Sequence, residues 1–191
     1  MHQRVFTVGT FYGHVRMAMA SVGAIVRARR SFGGNFSSQL MLAVTQVNGC
    51  RLCSWFHTSV ALKEGASEGQ LQDLIDGDLG HLDDRQAACV LFAQHYADRG
   101  GHDVGAALAH LEREVGPIDA GHALALTKAI MVGNIHGISF DAIRLRLRGE
   151  PLTGSGIGHE VGIALGGALL PFLAAAHNLL AGGPALAPAP A

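Results

Sequence analysis

The stretch VNGCRLCSWFHT, residues 47–58, holds the side chains of this chain that are best placed to do chemistry. Cys50 and Cys53 are three residues apart, and His57 follows four residues after the second cysteine. On an α-helix these spacings put all three side chains on one face, since seven residues make nearly two turns. The pattern is compatible with a redox-active dithiol, with part of a metal site, or with two buried thiols beside an unrelated histidine.

The residues just before the cysteines favour a reactive dithiol. Asn48-Gly49 is expected to interrupt the helix, because glycine is a poor helix residue. Cys50 and Cys53 would then lie in the first turn of a new helix, where unpaired N–H groups and the positive end of the dipole favour thiolate over thiol. A thiolate attacks peroxides and disulfides, and such a pair can cycle between dithiol and disulfide. His57 could accept the thiol proton or pass one to a leaving hydroxyl group.

The competing interpretations of this motif explain it less well. A structural zinc ion needs four ligands, and the sequence offers three locally, with no second CxxC. Covalent haem attachment requires CxxCH, but Ser54 occupies the histidine position. Buried structural thiols remain an alternative, because free cysteine is among the most buried residue types. Cys89, inside AACVLFA, is interpreted as a core residue of that kind. The sequence therefore predicts neither a metal nor a cofactor.

Composition limits the class of protein. The chain has 191 residues, which suits one domain, and 49% hydrophobic against 15% charged residues. So apolar a composition predicts that some apolar surface meets another subunit or a membrane. A net charge of −1 and few aromatic residues argue against a nucleic-acid partner. A CxxC in a cysteine-poor chain, with a poor secretory signal at the N-terminus, predicts a cytoplasmic protein.

The sequence predicts an all-α fold, because strand patterns are scarce while alanine and leucine dominate. SFGGNFSS, residues 31–38, is interpreted as a loop with Asn35 or Ser37 as a helix cap. Capping boxes are predicted at Ser67 and Asp83, and a cap at Asp119. Six helices are predicted, over about residues 38–48, 50–64, 67 onward, 83–98, 103–115 and 119–147.

The composition changes near residue 150. The chain is therefore divided into a helical domain over 1–150, a linker over 151–160, an apolar helix over 161–180 and a Pro/Ala tail over 181–191. The tail is expected to be disordered. No charged residue follows Glu160. The helix has about the length needed to cross a bilayer, but Pro171, His177 and several glycines argue against spanning. It is therefore expected either to pack on a neighbouring subunit or to associate with a membrane.

Residues 43–67, AVTQVNGCRLCSWFHTSVALKEGAS, resemble the core of the alkyl hydroperoxidase D-like, carboxymuconolactone decarboxylase superfamily. The family pattern is NGC-x-x-C, three residues, histidine and A-x-x-x-G, which Ala61 to Gly65 complete. LDDRQAACVLFAQHYA (82–97) and MVGNIHGISFDAI (131–143) resemble its later helices, so the likeness covers about residues 36–147. The decarboxylase branch of the superfamily does not rely on a CxxC pair, and the motif therefore favours the redox branch.

The resemblance implies a compact fold of about six or seven helices, here followed by an extra apolar helix, that assembles as a homo-oligomer, a trimer or a hexamer. It implies an alkyl hydroperoxide reductase in which Cys53 attacks the peroxide and becomes a sulfenic acid. Cys50 then resolves the sulfenic acid as a disulfide, and His57 belongs to the proton relay. A dithiol reductant protein, lipoylated or thioredoxin-like, would restore the thiols.

One position departs from the family pattern. The relay usually includes a glutamate about twelve residues before the first cysteine, and Ser38 occupies that position here, with Gln39 beside it. Glu64 is the first acidic residue of the chain. It lies roughly 10 Å from His57 by helix rise and is not interpreted as the base. The missing glutamate could be replaced in the relay by His14, His122 or His136, if the fold brings one of them close to the cysteines.

Two other functions stay open at this stage. One is a thiol–disulfide exchanger that uses the same cysteines without peroxidase activity. The other is a non-catalytic oligomeric module of helices, tethered by its apolar C-terminal helix. The lack of a carboxylate partner for the relay and the long apolar tail favour the second of these.

Overall fold

Eight α-helices, and no β-strand, make up residues 3–184, the part of the chain that the computed structural model describes. The predicted all-α fold with an apolar C-terminal helix is confirmed. The helices are α1 (Val8–Ala20), α2 (Val22–Asn48), α3 (Arg51–Lys63), α4 (Glu68–Asp76), α5 (Asp84–Asp98), α6 (Gly105–Val115), α7 (Pro117–Leu147) and α8 (Ile157–Ala181).

The loop predicted over residues 31–38 is wrong, because α2 continues through it with a kink at Gly33. The backbone of Gly33 has φ 72° and ψ 169°, a conformation that glycine adopts without a steric penalty. Phe32 and Phe36, on either side of the kink, pack with ring centroids 5.1 Å apart. One glycine therefore bends the helix while apolar packing holds its two halves together, and no cap at Asn35 or Ser37 is needed.

Other helix boundaries follow local chemistry. Both predicted capping boxes are present, at Ser67 with Gln70 and at Asp83 with Gln86. The predicted cap at Asp119 is wrong, since α7 begins at Pro117. Proline is tolerated in a first helical turn because its missing N–H would have no partner there.

Helices α2 and α7 form the centre of the molecule. Both are lined with buried residues along most of their length, among them Leu40, Leu42, Val44, Leu126, Met131 and Ile135. Two described helices, α7 and α8, are long and apolar enough to cross a membrane. For α7 that property reflects its place in the core, where 72% of its most apolar window is buried.

Helix α8 packs on its own chain by one side. It begins at Ile157, within the predicted linker, and the buried Glu160 accepts two hydrogen bonds from Arg146, at 2.8 and 2.6 Å. Farther along, His177 bonds the Tyr12 hydroxyl at 2.9 Å. Only 11% of the most apolar window of α8 is buried, so its other side faces outward. Most of the predicted Pro/Ala tail, residues 185–191, lies outside the described residues.

Candidate redox site

The junction between α2 and α3 places the two cysteines. Gly49 ends α2 in the left-handed conformation, with φ 77°, as the predicted break at Asn48-Gly49 requires. Cys50 is the cap residue of α3, and its Sγ accepts a hydrogen bond from the backbone N–H of Cys53 at 3.3 Å. Both sulfurs therefore lie at the positive end of the α3 dipole, where a thiolate is stabilised.

Cys50 and Cys53 are joined as a disulfide, with their Cα atoms 5.3 Å apart. The two cysteines of the predicted pair are thus at disulfide distance, as redox chemistry requires. Cys50 is 0% exposed and Cys53 is 9% exposed, so Cys53 is the sulfur that a molecule from solvent can reach. The same asymmetry separates an attacking thiol from a resolving thiol.

Two glycines of α7 face the disulfide. A methyl group on Gly137 would lie 2.7 Å from Cys50 Sγ and 2.9 Å from Cys53 Sγ, closer than atoms approach without displacement. The backbone oxygen of Gly133 lies 3.5 Å from Cys53 Sγ and can accept a hydrogen bond from the reduced thiol. Sequence reasoning missed both glycines, although their four-residue spacing within an apolar helix was a signal for close packing.

Cys53 and His57 share one cavity of about 400 Å³ between α3 and α7, which we call the disulfide cavity. Its walls are mostly apolar. The lining residues are Leu52, Cys53, Trp55, Phe56, His57, Ile130, Gly133, His136, Gly137 and Phe140. Of the three histidines considered as substitutes in the relay, His136 lines this cavity, while His14 and His122 do not.

His57 is held as a neutral base. It lies one turn beyond Cys53 on α3, edge-on to the ring of Phe56 at 5.1 Å. Burial, and then the positive charge of Arg29, lower the pKa of His57 to about 4. The Nδ1 atom is buried and has no hydrogen-bond partner within residues 3–184. At pH 7 the imidazole is therefore neutral, and its low pKa makes it a weak proton acceptor whose protonated form gives the proton up readily.

A carboxylate does lie beside Ser38, although it comes from the far end of α3. Glu64 accepts a hydrogen bond from Arg29 at 2.7 Å and one from the Ser38 hydroxyl at 3.4 Å. Gly34 makes the space, because a methyl group there would overlap the carboxylate. No hydrogen bond joins Glu64 to His57 in the described structure. The Glu64 carboxylate forms an ion pair with Arg29 instead.

The remaining candidates do not line the disulfide cavity. Gln46 donates a hydrogen bond to the Ser54 hydroxyl at 3.1 Å and so supports the start of α3. His14 is fully buried, neither ring nitrogen has a hydrogen-bond partner within residues 3–184, and burial lowers the pKa of His14 to about 4. Cys89 is buried, and burial raises the pKa of its thiol to about 12, which agrees with a core residue.

Cys89 lies at a second cavity, of about 360 Å³, which we call the polar cavity. Its lining includes an ion pair between Arg85 and Asp119, and His122 lies 3.9 Å from the same carboxylate. The full lining is Ser31, Phe32, Phe36, Asp83, Arg85, Gln86, Cys89 and Asp119. Over residues 3–184, no three His, Cys, Asp or Glu side chains are grouped to hold a metal ion.

Comparison with known proteins leaves the site to be interpreted from its own geometry. No family model, curated protein or solved structure matches this chain. Membership in the alkyl hydroperoxidase D-like superfamily stays a prediction that rests on the motifs in residues 43–67, 82–97 and 131–143.

Proposed function

We propose that this protein is a thiol-dependent oxidoreductase of the alkyl hydroperoxidase D-like type that reduces hydroperoxides through Cys53 and Cys50. The observation that carries the proposal is the disulfide at the start of α3, with one sulfur at a cavity and the other sealed beneath it. Two cysteines arranged in this way can be oxidised to a disulfide within one chain.

The chemistry proceeds in two steps. The Cys53 thiolate attacks the outer oxygen of R–O–O–H, the O–O bond breaks, and Cys53 becomes a sulfenic acid while R–O⁻ takes a proton to leave as an alcohol. The Cys50 thiolate then attacks the sulfenic sulfur and displaces hydroxide, which leaves as water once protonated. The peroxide gains two electrons and the dithiol loses two, so the disulfide is the product.

His57 moves the protons of these steps. The reduced Cys53 thiol can donate to the Gly133 carbonyl oxygen, an interaction that favours thiol over thiolate. A base is therefore needed to generate the nucleophile, and neutral His57 lies on the same face of α3 and in the same cavity. The proton that His57 accepts can be returned to the leaving alkoxide, so the imidazole ends each turnover neutral.

The shape of the site favours a small or slender oxidant over a protein disulfide. Cys53 is almost fully buried, at the wall of an apolar cavity between two helices. A hydroperoxide can enter such a cavity, whereas a disulfide on a folded protein surface cannot reach the sulfur without opening it. The dithiol that restores the thiols must likewise reach in on an extended arm, as a lipoyl group does, or approach after the cavity opens.

Assembly into a trimer or a hexamer is part of the same proposal.

Thiol titration tests the function. Reduced wild-type protein has three thiols, and one equivalent of an organic hydroperoxide should leave one, that of Cys89. Cys53→Ser should lose no thiols on the same timescale. Cys50→Ser should form a sulfenic acid at Cys53 that dimedone traps. Cys89→Ser is the matched control and should form the disulfide at the wild-type rate.

The outcomes separate the candidate functions. Thiols that stay unchanged in the wild-type protein would contradict the peroxidase. If those unreacted thiols nevertheless reduce a small disulfide in a manner that requires Cys53, the protein is a thiol–disulfide exchanger. If neither reagent oxidises the pair, the disulfide is structural and the chain is a non-catalytic helical module.

A further inference from the structure

The exposed side of α8 is an apolar stripe without a partner in the described chain. Seven large apolar residues on successive turns of this side are exposed, and none of them carries a hydrogen-bonding group. We call these residues the α8 stripe: Val161, Leu165, Leu169, Phe172, Leu173, Leu179 and Leu180. So long a contiguous apolar surface is unusual on a soluble monomer and marks a contact with something apolar.

The α8 stripe lies next to the mouth of the disulfide cavity. His136, a wall of that cavity, donates a hydrogen bond from Nε2 to the Ala164 carbonyl at 3.1 Å. Phe140 packs on the His136 ring at 4.8 Å and is itself exposed. Ala168 is one turn beyond Ala164 on the same side of α8, and it leads directly into the stripe. One edge of the stripe therefore borders a wall of the disulfide cavity, and we call the cavity mouth and the stripe together the apolar face.

The rim of the cavity adds aromatic and basic groups to that face. Trp55 is 68% exposed, and Leu52 and Phe56 beside it are exposed as well. Two exposed arginines border these residues, Arg51 next to Leu52 and Arg144 one turn beyond Phe140. Tryptophan and arginine next to an apolar helix face are the groups that contact the headgroup region of a bilayer.

The acidic groups nearby pair with Arg144 and Arg146 but not with Arg51. Asp141 lies 3.9 Å from Arg144, but it is mostly buried and accepts a hydrogen bond from Gln3 at 2.6 Å. Glu160 is buried in its pair with Arg146. The exposed Arg51 has no acidic partner within residues 3–184, and its positive charge beside the apolar face complements an anionic lipid surface.

We propose that this apolar face docks on a lipid bilayer, with α8 lying in the plane of the interface and the disulfide cavity opening toward the lipid. A second copy of the chain would cover the apolar side chains, but it would not supply the anionic headgroups that the exposed Trp55 and Arg51 complement. Spanning the bilayer is disfavoured too, since the inner side of α8 is bonded to Tyr12, Arg16 and Arg146. The proposal rests on surface geometry and does not need the thiol chemistry to be correct.

Vesicle binding by the full chain tests the proposal. We expect the wild-type protein to sediment with vesicles of phosphatidylcholine and phosphatidylglycerol, and less with phosphatidylcholine alone. Trp55 is the sole tryptophan, so its emission should shift to shorter wavelength on binding. The double variant Leu169→Glu/Phe172→Glu should bind at least about tenfold more weakly, because two exposed anchors are replaced by charges. Circular dichroism should show it folded, since neither residue is in the core.

Ile118→Glu provides the matched control. Ile118 is 72% exposed, against 76% for Phe172, and lies about 27 Å from His136 by helix rise along α7. The Ile118→Glu variant should bind vesicles like the wild type.

Equal loss of binding in both variants, unchanged Trp55 emission, or no binding by the wild-type protein would each overturn the proposal. A dimer that the double variant abolishes, in the absence of vesicle binding, would assign the face to a second copy. Retention in the membrane after an alkaline wash would instead show a spanning helix.

Discussion

The disulfide cavity and the polar cavity each border a cysteine, yet their surroundings are opposite. The polar cavity has the charged groups that sequence reasoning associates with chemistry, including Arg85 and Asp119, but its Cys89 is a lone buried thiol with a pKa raised to about 12. The disulfide cavity is mostly apolar, but Cys53 has a helix N-terminus, a second sulfur and His57. On the proposed function, the reactivity of a cysteine is set by its backbone position and a partner thiol, and the number of nearby charges matters less.

The largest expected contrast is in alkylation of the reduced protein at about pH 8. A thiol with a pKa of about 12 is ionised to roughly one part in ten thousand there, and Cys89 is also buried. Cys53 should therefore react with iodoacetamide at least about a hundred times faster than Cys89, as followed by peptide mass spectrometry. Comparable alkylation rates at the two sites would contradict the assignment of Cys53 as the more reactive thiol.

Substitution of Gly137 and of Gly133 by alanine should distinguish crowding of the disulfide from ordinary helix packing. Gly137→Ala would crowd both sulfurs and should lower the free energy of unfolding of the oxidised protein by about 1–3 kcal/mol. Gly133→Ala meets only Ile130 Cδ1 at 3.7 Å, an ordinary contact, and should gain up to about 1 kcal/mol from helix propensity. Urea unfolding of both variants measures the difference. A loss of stability in both would mean that α7 tolerates no side chain on this side.

The pKa of His57 should report on the positive charge beside its cavity. Its value is about 4 in the fold against 6.5 in the unfolded chain, so the unfolded state binds more protons between these values. The stability that neutral His57 contributes is full above pH 6.5 and is lost as pH falls through 4. Arg29→Gln should raise the pKa of His57, seen by NMR at the imidazole C2 proton, because it removes a nearby positive charge. Arg30→Gln, at an exposed neighbouring position, should leave it unchanged.

The smallest effect should come from the charged groups of the polar cavity. The Arg85–Asp119 pair is partly exposed, so Arg85→Gln should change the free energy of unfolding by less than about 1 kcal/mol. Disulfide formation at Cys50 and Cys53 should keep its wild-type rate. A change in that rate would show that the two cavities communicate and would undo the contrast between them.

Features that depend on neighbouring residues could be predicted from the sequence. The break at Asn48-Gly49, the capping boxes and the spacing of Cys50, Cys53 and His57 all involve groups within about two turns of helix. The kink at Gly33 was missed because the same residues, SFGGNFSS, encode a loop or a bend, and packing between Phe32 and Phe36 decides between them.

Features that depend on packing between distant segments could not be predicted. Gly137 opposes the sulfurs only because α7 crosses α3 at that point, and nothing in MVGNIHGISFDAI specifies the crossing. Helix α1 lacks acidic residues in its first turn and is stabilised by burial of Phe11, Val15 and Met17. The placement of Glu64 beside Ser38 likewise requires the space at Gly34, which no local pattern shows.

The side chain of His136 belongs to two structures at once, since it walls the disulfide cavity and holds α8 through Ala164. Gly167 allows this, because any side chain there would overlap the imidazole. A displacement of α8 must therefore move a wall of the cavity. Where one element takes part in two binding events, thermodynamic linkage makes their free energies reciprocal. A ligand that shifts α8 together with the His136 side chain therefore changes affinity at the cavity, and a ligand in the cavity changes affinity at α8 by the same factor.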